Sequence, residues 1–294
     1  MPPLTMIKPL AHVMFMSKML KIPTSAEWQQ PAGDAAPQYA RMLGSDPKLP
    51  SIDAGIPLFI PQNPINPYHL DSKAKVGQGW RDFMDAACDA IAYGMLQWKL
   101  QAKFQNFMIN GPVVAGTPGC LDGPELENFI KNAPSFAPLQ AKDAAKKLCE
   151  AVAAGTSKCF KNWQQMVTVP GLPLYPAFAA FPGPMAPPMP CIPMPIIAYV
   201  SGMIAQLMGP MMLQQEMINA YDGGMKQKDK DKQHEAAFLG IATAASLAFT
   251  MWMPQQQVML VMGKGQIPTF APPYVPVGPV VMGDNIAAPG HAIA

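Results

Sequence analysis

Apolar and polar positions along this chain alternate with helical spacing in several stretches and give way, between them, to apolar runs broken by proline. From about Trp80 to Met108, the residues Trp80, Phe83, Met84, Ala87, Ile91, Met95, Trp98, Phe104 and Phe107 recur at three- and four-residue intervals. Arg81, Asp85, Asp89, Lys99 and Lys103 fall between them, which predicts a helix with one buried and one solvated face. Asn110-Gly111-Pro112 stops it. Asp122-Gly123-Pro124-Glu125 has the oxygen-bearing cap, early proline and acidic residue of a helix start, so a short helix is expected to end near Asn132. Further helices are predicted from Ala141 to Trp163, from Ile196 to Tyr221 with a kink at Gly209-Pro210, and from Glu235 to Met253. Val167 to Val169 and Val258 to Met262 read as short β segments. The charged run from Lys226 to Glu235 alternates in sign and reads as a solvated turn.

The remaining pattern is extended rather than periodic. Residues 1–76 hold short apolar pieces, Val13 to Leu20 and Ile56 to Pro61, between Pro, Gly and Asp, and read as an N-terminal extended arm. Asn162 to Gln215 contains no Asp, Glu, Lys or Arg, and a water-facing segment of that length would carry about a dozen charges. The chain therefore divides into the arm 1–76, a helical unit 77–139, a second helical unit 140–195 with its uncharged Pro-rich arm, and a helical hairpin 196–294 with a C-terminal Pro/Gly-rich arm. Three segments share an order of parts: an Ala-rich helix, a Trp near its end, a short Val/Met run, then a Gly/Pro-rich arm. They are marked by Trp98, Trp163 and Trp252, and suggest a degenerate internal repeat whose arms are buried by neighbours. The expected fold class is mainly α with short β segments and long Pro/Gly-rich extended arms.

Composition sharpens this picture. Hydrophobic residues make up 50% of the 294 and charged ones 14%, with 35 Pro and 24 Met. Disordered chains are polar and charge-rich, so the apolar arms are made to be covered. The net charge of +2 comes from scattered residues and offers no basic face to a phosphate backbone, so no direct nucleic-acid recognition is expected. Five cysteines, Cys88, Cys120, Cys149, Cys159 and Cys191, include no CxxC pair, which points to free thiols in a reducing compartment and to synthesis in the cytoplasm. The first residues are interrupted by Lys8, Lys18, Lys21 and prolines and lack the apolar core of a secretory signal.

Catalytic patterns do not emerge. His12, His69, His234 and His291 are scattered and belong to no metal-ligand spacing. Tyr199-Val-Ser201-Gly202 lacks the leading glycine of a nucleophile elbow, and Gly77-Gln-Gly79 and Gly263-Lys-Gly265 lack the rest of a phosphate loop and read as turns. Met14, Met16, Met19, Met185, Met189, Cys191 and Met194 have the softness that selects Cu(I), yet methionine is high throughout and serves equally to fill irregular contacts. No catalytic residue, metal or cofactor is expected.

The Trp163-Gln-Gln…Val segment followed by Pro170-Gly-Leu-Pro-Leu-Tyr-Pro, with the tail Pro272-Pro-Tyr-Val-Pro-Val-Gly-Pro279-Val-Val, resembles structural proteins of tailed phages and related injection particles. In those, small-residue helices are followed by Pro/Gly-rich arms that interlock subunits. The resemblance is one of style over about half the chain and carries no functional residue. Together with the uncharged arms it implies a non-enzymatic structural subunit of a virion or other large particle, whose partners are identical subunits and other structural proteins. Interface anchors are expected at Trp163, Tyr175, Phe178, Phe181, Tyr199, Trp252, Phe270 and Tyr274, because aromatics bury the most area. The alternative is a membrane protein with a two-helix hairpin over 196–213 and 236–253.

Overall fold

The computed structural model describes residues 2–20, 67–111, 113–174, 181–196, 204–259, 261–267, 277–278 and 280–286. In chain order the helices are α1 (Pro2–Met16), α2 (Pro67–Lys99), α3 (Leu126–Lys131), α4 (Asp143–Met166), α5 (Ile204–Leu207), α6 (Pro210–Ala220), α7 (Gly223–Lys228) and α8 (Gln233–Trp252). The strands are β1 (Lys103–Phe104), β2 (Phe107–Asn110), β3 (Val113–Gly116), β4 (Leu121–Asp122), β5 (Val169–Pro173), β6 (Phe181–Pro182) and β7 (Met185–Pro190). They continue with β8 (Met194–Pro195), β9 (Gln257–Val258), β10 (Met262–Gln266), β11 (Val277–Gly278) and β12 (Val281–Ile286).

The fold class is not mainly α with extended arms. Helices share the chain with a curled six-stranded antiparallel sheet in the order β5-β3-β2-β12-β10-β7. What reads in sequence as arm is largely strand: β5 and β7 come from the uncharged Pro-rich stretch, and β10 and β12 from the C-terminal Gly/Pro stretch. The prolines of β5 and β7 are accommodated because these are the outermost strands of the sheet, where one row of backbone amides has no ladder partner to serve. At one end the two outer strands draw together, with Leu174 bridged to Cys191 and the amide of Ile192 donating to the carbonyl of Pro173 at 2.9 Å. Each of the three long helices α2, α4 and α8 is followed by two strands of this sheet.

Curling depends on β10. Its register shifts against both neighbours, between Lys264 and Gln266 on β12 and between Gly263 and Gly265 on β7. A bulge bends a strand and tightens its twist, and β10 carries one toward each side. Gly265 and Gly283 make this possible, since a Cβ on Gly265 would lie 2.3 Å from Val280 Cγ1 and 2.8 Å from the Cα of Gly283. The Gly263-Lys-Gly265 turn expected from sequence is therefore an inner strand.

α8 packs against α1, α2 and α6, α6 also packs against α4, and α8 is the most enclosed of these, burying His234, Phe238, Ile241, Phe249, Trp252 and its alanines. α2 and α8 run side by side in the same direction, tied by Trp80 Nε1 in the middle of α2 to Gln233 Oε1 at the start of α8 (2.8 Å) and by Lys99 Nζ to Gln256 Oε1 (2.8 Å) at their ends. The three tryptophans that end the long helices meet where helices hand over to strands. Trp98 lies 4.7 Å from Phe160 and 6.4 Å from Trp163, Trp163 lies 5.1 Å from Phe249, and Phe249 lies 5.6 Å from Trp252, all between ring centroids. Gln164 fixes the cluster to the neighbouring loop, accepting from Trp98 Nε1 at 3.2 Å and donating to the carbonyl of Leu121 at 3.2 Å.

Several boundaries differ from the sequence reading. Residues 2–16 are helix rather than arm, even with Pro9 inside, and α2 starts at Pro67 and stops at Lys99. Phe104 and Phe107, taken as its last turns, belong to β1 and β2 and stack 5.3 Å apart. The helix expected over 196–221 is the pair α5 and α6, separated at Met208-Gly209 with Pro210 opening α6. Part of the charged turn is the short helix α7.

Candidate functional site

The outer face of the curled sheet carries several exposed apolar side chains. Alternation along β2 and β3 turns Phe107, Ile109 and Val114 inward and leaves Met108, Val113 and Ala115 outward. Met108 stands opposite Ala115 in the ladder, and Val113 opposite Asn110. Exposed apolar residues elsewhere on the sheet are Val281 and Met282 on β12, Met185, Pro187 and Pro188 on β7, and Pro170 on β5. The five large side chains among these are exposed by 55% (Met108), 44% (Val113), 60% (Met185), 42% (Val281) and 81% (Met282). Met282 is held out by a left-handed backbone, φ 53°, with its amide donating to Asn110 Oδ1 at 3.0 Å. Lys264 and Asp284, 3.8 Å apart, are an opposite-charge pair within this face. Isolated exposed apolar residues are ordinary, but several on the neighbouring strands β3, β2 and β12 are the kind of surface a partner covers.

The aromatic anchors expected from sequence are placed differently. Trp163 is fully buried and Trp252 is 4% exposed, both inside the chain's own aromatic cluster, so neither ring is presented to a partner. Phe181 lies in β6, which pairs with β11 through Phe181↔Gly278 and Pro182↔Val277, so the uncharged Pro-rich arm and the C-terminal Pro/Gly-rich arm are tied to each other within one chain. Tyr175, Phe178, Tyr199, Phe270 and Tyr274 lie outside the described residues. The outward methionines and valines each sit in a strand of four to six residues that reads as loop in the sequence. The alternation Phe107-Met108-Ile109-Asn110, ending before Gly111, was the available signal.

Two polar sites also merit description. A cleft of about 310 Å³ lies between the Gly119–Leu126 loop and α4, floored by Phe160 and Gln164. Of its polar groups, both ends of the Gln164 amide are bonded, and Lys161 pairs with Glu125 at 2.8 Å across the rim. The second lies where α7 meets α8. His234 is buried, its Nδ1 is 2.6 Å from Asp229 Oδ2, its amide donates to the same oxygen at 2.8 Å, and its ring faces Tyr221 at 5.1 Å. Burial and then Asp229 and Asp222 raise the Tyr221 phenol. Burial alone would raise the Asp229 carboxyl, but the bonds from His234 and from the Gln233 amide outweigh it and hold it below its usual value. This arrangement closes the α7–α8 turn and starts α8.

A carboxyl depressed by folding stabilises the fold at every pH above its unfolded value, near 4, and loses that contribution as pH falls through its lower folded value. Asp229→Ala is therefore expected to cost about 1–2 kcal/mol at pH 7. Urea unfolding should show the gap between parent and variant narrowing as pH is taken from 5 towards 2. A gap of unchanged size over that range would rule the pair out as the cause.

The thiols are poor nucleophiles and soft ligands as they stand. Burial pushes Cys88, Cys149 and Cys159 up to about 12 and Cys120 up to about 11, and raises Cys191 as well. Among the described residues no three His, Cys, Asp or Glu side chains gather closely enough to hold a metal ion. One helical stretch among them, Gln233–Gln255, is long and apolar enough to cross a membrane; its 18-residue apolar window has mean hydropathy 1.6 and is 67% buried inside the protein. Its expected hairpin partner, 196–213, contains the break before Pro210.

Compared with known proteins, the chain matches no protein-family model, no curated protein and no solved structure.

Proposed function

We propose that this chain is a structural subunit of a multi-subunit assembly, and that identical copies cover one another's outer sheet face. The observation that carries this is the set of outward apolar side chains on the neighbouring strands β12, β2 and β3, where Met282 and Met108 are each more than half exposed, with Met185 on the sheet edge beyond the Lys264–Asp284 pair. Methionine suits such a surface because its unbranched, polarizable side chain adapts to an irregular partner. Covering a face of this breadth removes apolar area at roughly 25 cal/mol per Å², the dominant gain in stable subunit contacts. The version in which the assembly is a phage-like or injection particle rests on the style of the sequence alone.

Light scattering across a concentration series, without detergent, tests the reading. A discrete multiple of the 31.7 kDa chain, or large regular particles, is expected. The double variant Met108→Lys with Met282→Lys places two charges on the covered face and should shift the mass to that of one chain without changing the circular dichroism. A parent that is monomeric at all concentrations overturns the proposal. Solubility only in detergent overturns it in favour of a lipid-facing chain.

A further inference from the structure

Helix α1 sits on the rest of the fold like a bound ligand. It packs into the groove between α2 and α8 and buries Leu4, Ala11 and Phe15 completely, three positions that share one helical face. The groove is shaped for it: the carbonyl oxygen of Ala11 comes so close to Gly240 of α8 that a Cβ there would lie 2.4 Å away. Polar contacts fix its direction along α2. Lys8 Nζ is 2.7 Å from Asp89, His12 Nε2 is 3.0 Å from Asp85 Oδ1, and the Phe15 ring is 5.9 Å from Trp80. Residue numbers rise along α1 as they fall along α2, so α1 lies antiparallel to it.

This seat has an odd relation to the chain that leads to it. α1 ends beside Trp80, and α2 begins at Pro67, about 20 Å back along the helix at 1.5 Å per residue. Residues 21–66 lie between the two, and a stretch of that length reaches roughly 150 Å when extended. The link is several times longer than the path it has to cover. The cost of closing a link grows only logarithmically with its length, so the same seat on an adjacent copy competes with the seat on the same chain once copies are held together. Every contact that α1 makes is available unchanged on that second copy, which is the condition for exchanging an element between protomers.

We propose that the α2–α8 groove is an interaction surface for α1 of a second copy, so that subunits in the assembly are strapped together by exchanged N-terminal helices. The proposal rests on the assembly reading above and adds the contact that links one copy to the next. Helix-in-groove docking of an amphipathic segment supplies the recognition, with Lys8 and His12 setting direction against Asp89 and Asp85.

The test uses full chains, each carrying one new cysteine. Lys8→Cys chains and Asp89→Cys chains are unfolded in urea, mixed in equal amounts, refolded, concentrated, and treated with a short bismaleimide. The native thiols are buried and protonated and should not compete. No single chain holds both reporter cysteines, so a covalent species of two different chains on a denaturing gel forms only if α1 of one copy lies on α2 of the other. That species is the expected result, absent when either variant is treated alone. The doubly substituted chain should give a ladder of linked chains.

If light scattering shows assembly while the mixture gives no cross-linked pair and the double variant links only within itself, this inference falls and the assembly reading stands. If the parent is monomeric throughout, both fall. The pair His12→Cys and Asp85→Cys, one turn along, repeats the measurement should the first variants fold poorly.

Discussion

Trp163→Ala is expected to destabilise the fold by about 3–5 kcal/mol, the range for removing a large, fully buried aromatic side chain. The site has little means to collapse around the loss. Trp163 is enclosed by Trp98 from α2, Phe160 from its own helix and Phe249 from α8, at centroid distances of 6.4, 5.0 and 5.1 Å. These rings stand at the ends of three separate helices, each leading into a different pair of sheet strands, so relaxing toward the cavity would move helix and sheet together. Trp163→Phe separates packing from polarity. Trp163 Nε1 is buried without an acceptor among the described residues, so phenylalanine removes that unsatisfied donor along with part of the ring. Urea unfolding should place Trp163→Phe well above Trp163→Ala in stability. If both variants were as stable as the parent, the cluster would not be a joint between helices and sheet.

What the sequence disclosed depends on which kind of periodicity each element has. α4 and α8 are legible to within three residues at each end, because fifteen or more residues of spaced alanine and aromatic positions leave little room for another reading. The break at Gly209-Pro210 was equally plain, since a proline lacks the amide that a continuous helix needs there. The sheet was not legible, for two physical reasons. β7 reads Met-Ala-Pro-Pro-Met-Pro and β5 Val-Pro-Gly-Leu-Pro; prolines argue against a strand only where both of its edges are paired, and these two stand outermost. β10 reads Met-Gly-Lys-Gly-Gln, whose glycines look like a turn but are small to admit Val280 and the backbone of β12. Phe104 and Phe107 misled in the opposite sense, continuing the spacing of α2 by coincidence past its end. For the candidate site, the expectation that an apolar surface must be covered came from composition. The residues proposed to form it became visible only once the strands were placed, because Met108 and Met282 are far apart in sequence and share only the outer face of a sheet.

The second large effect is expected at Gly265. Replacing it with valine adds three carbons where a single Cβ would already stand 2.3 Å from Val280 Cγ1 and 2.8 Å from Gly283 Cα. The Val280 side chain can rotate away, but Gly283 presents backbone, and it is anchored in turn by its pairing with Ile109 on β2. β12 would have to move outward to make room, and the bulges that let β10 bend toward both neighbours would be lost with it. Overpacking against side chains typically costs about 1–3 kcal/mol, and forcing backbone apart lies at or beyond the top of that range. Gly265→Val should therefore unfold at distinctly lower urea than the parent, and Gly265→Ala should fall between them. The structure assigns the damage to the curl rather than to the helices. Amide exchange should accordingly accelerate first in β10, β12 and β7, with α4 and α8 protected until higher denaturant. Uniform acceleration through α8 would instead mean that sheet and helices open as one unit, and that the tryptophan cluster couples them more tightly than the bulged strands constrain the sheet.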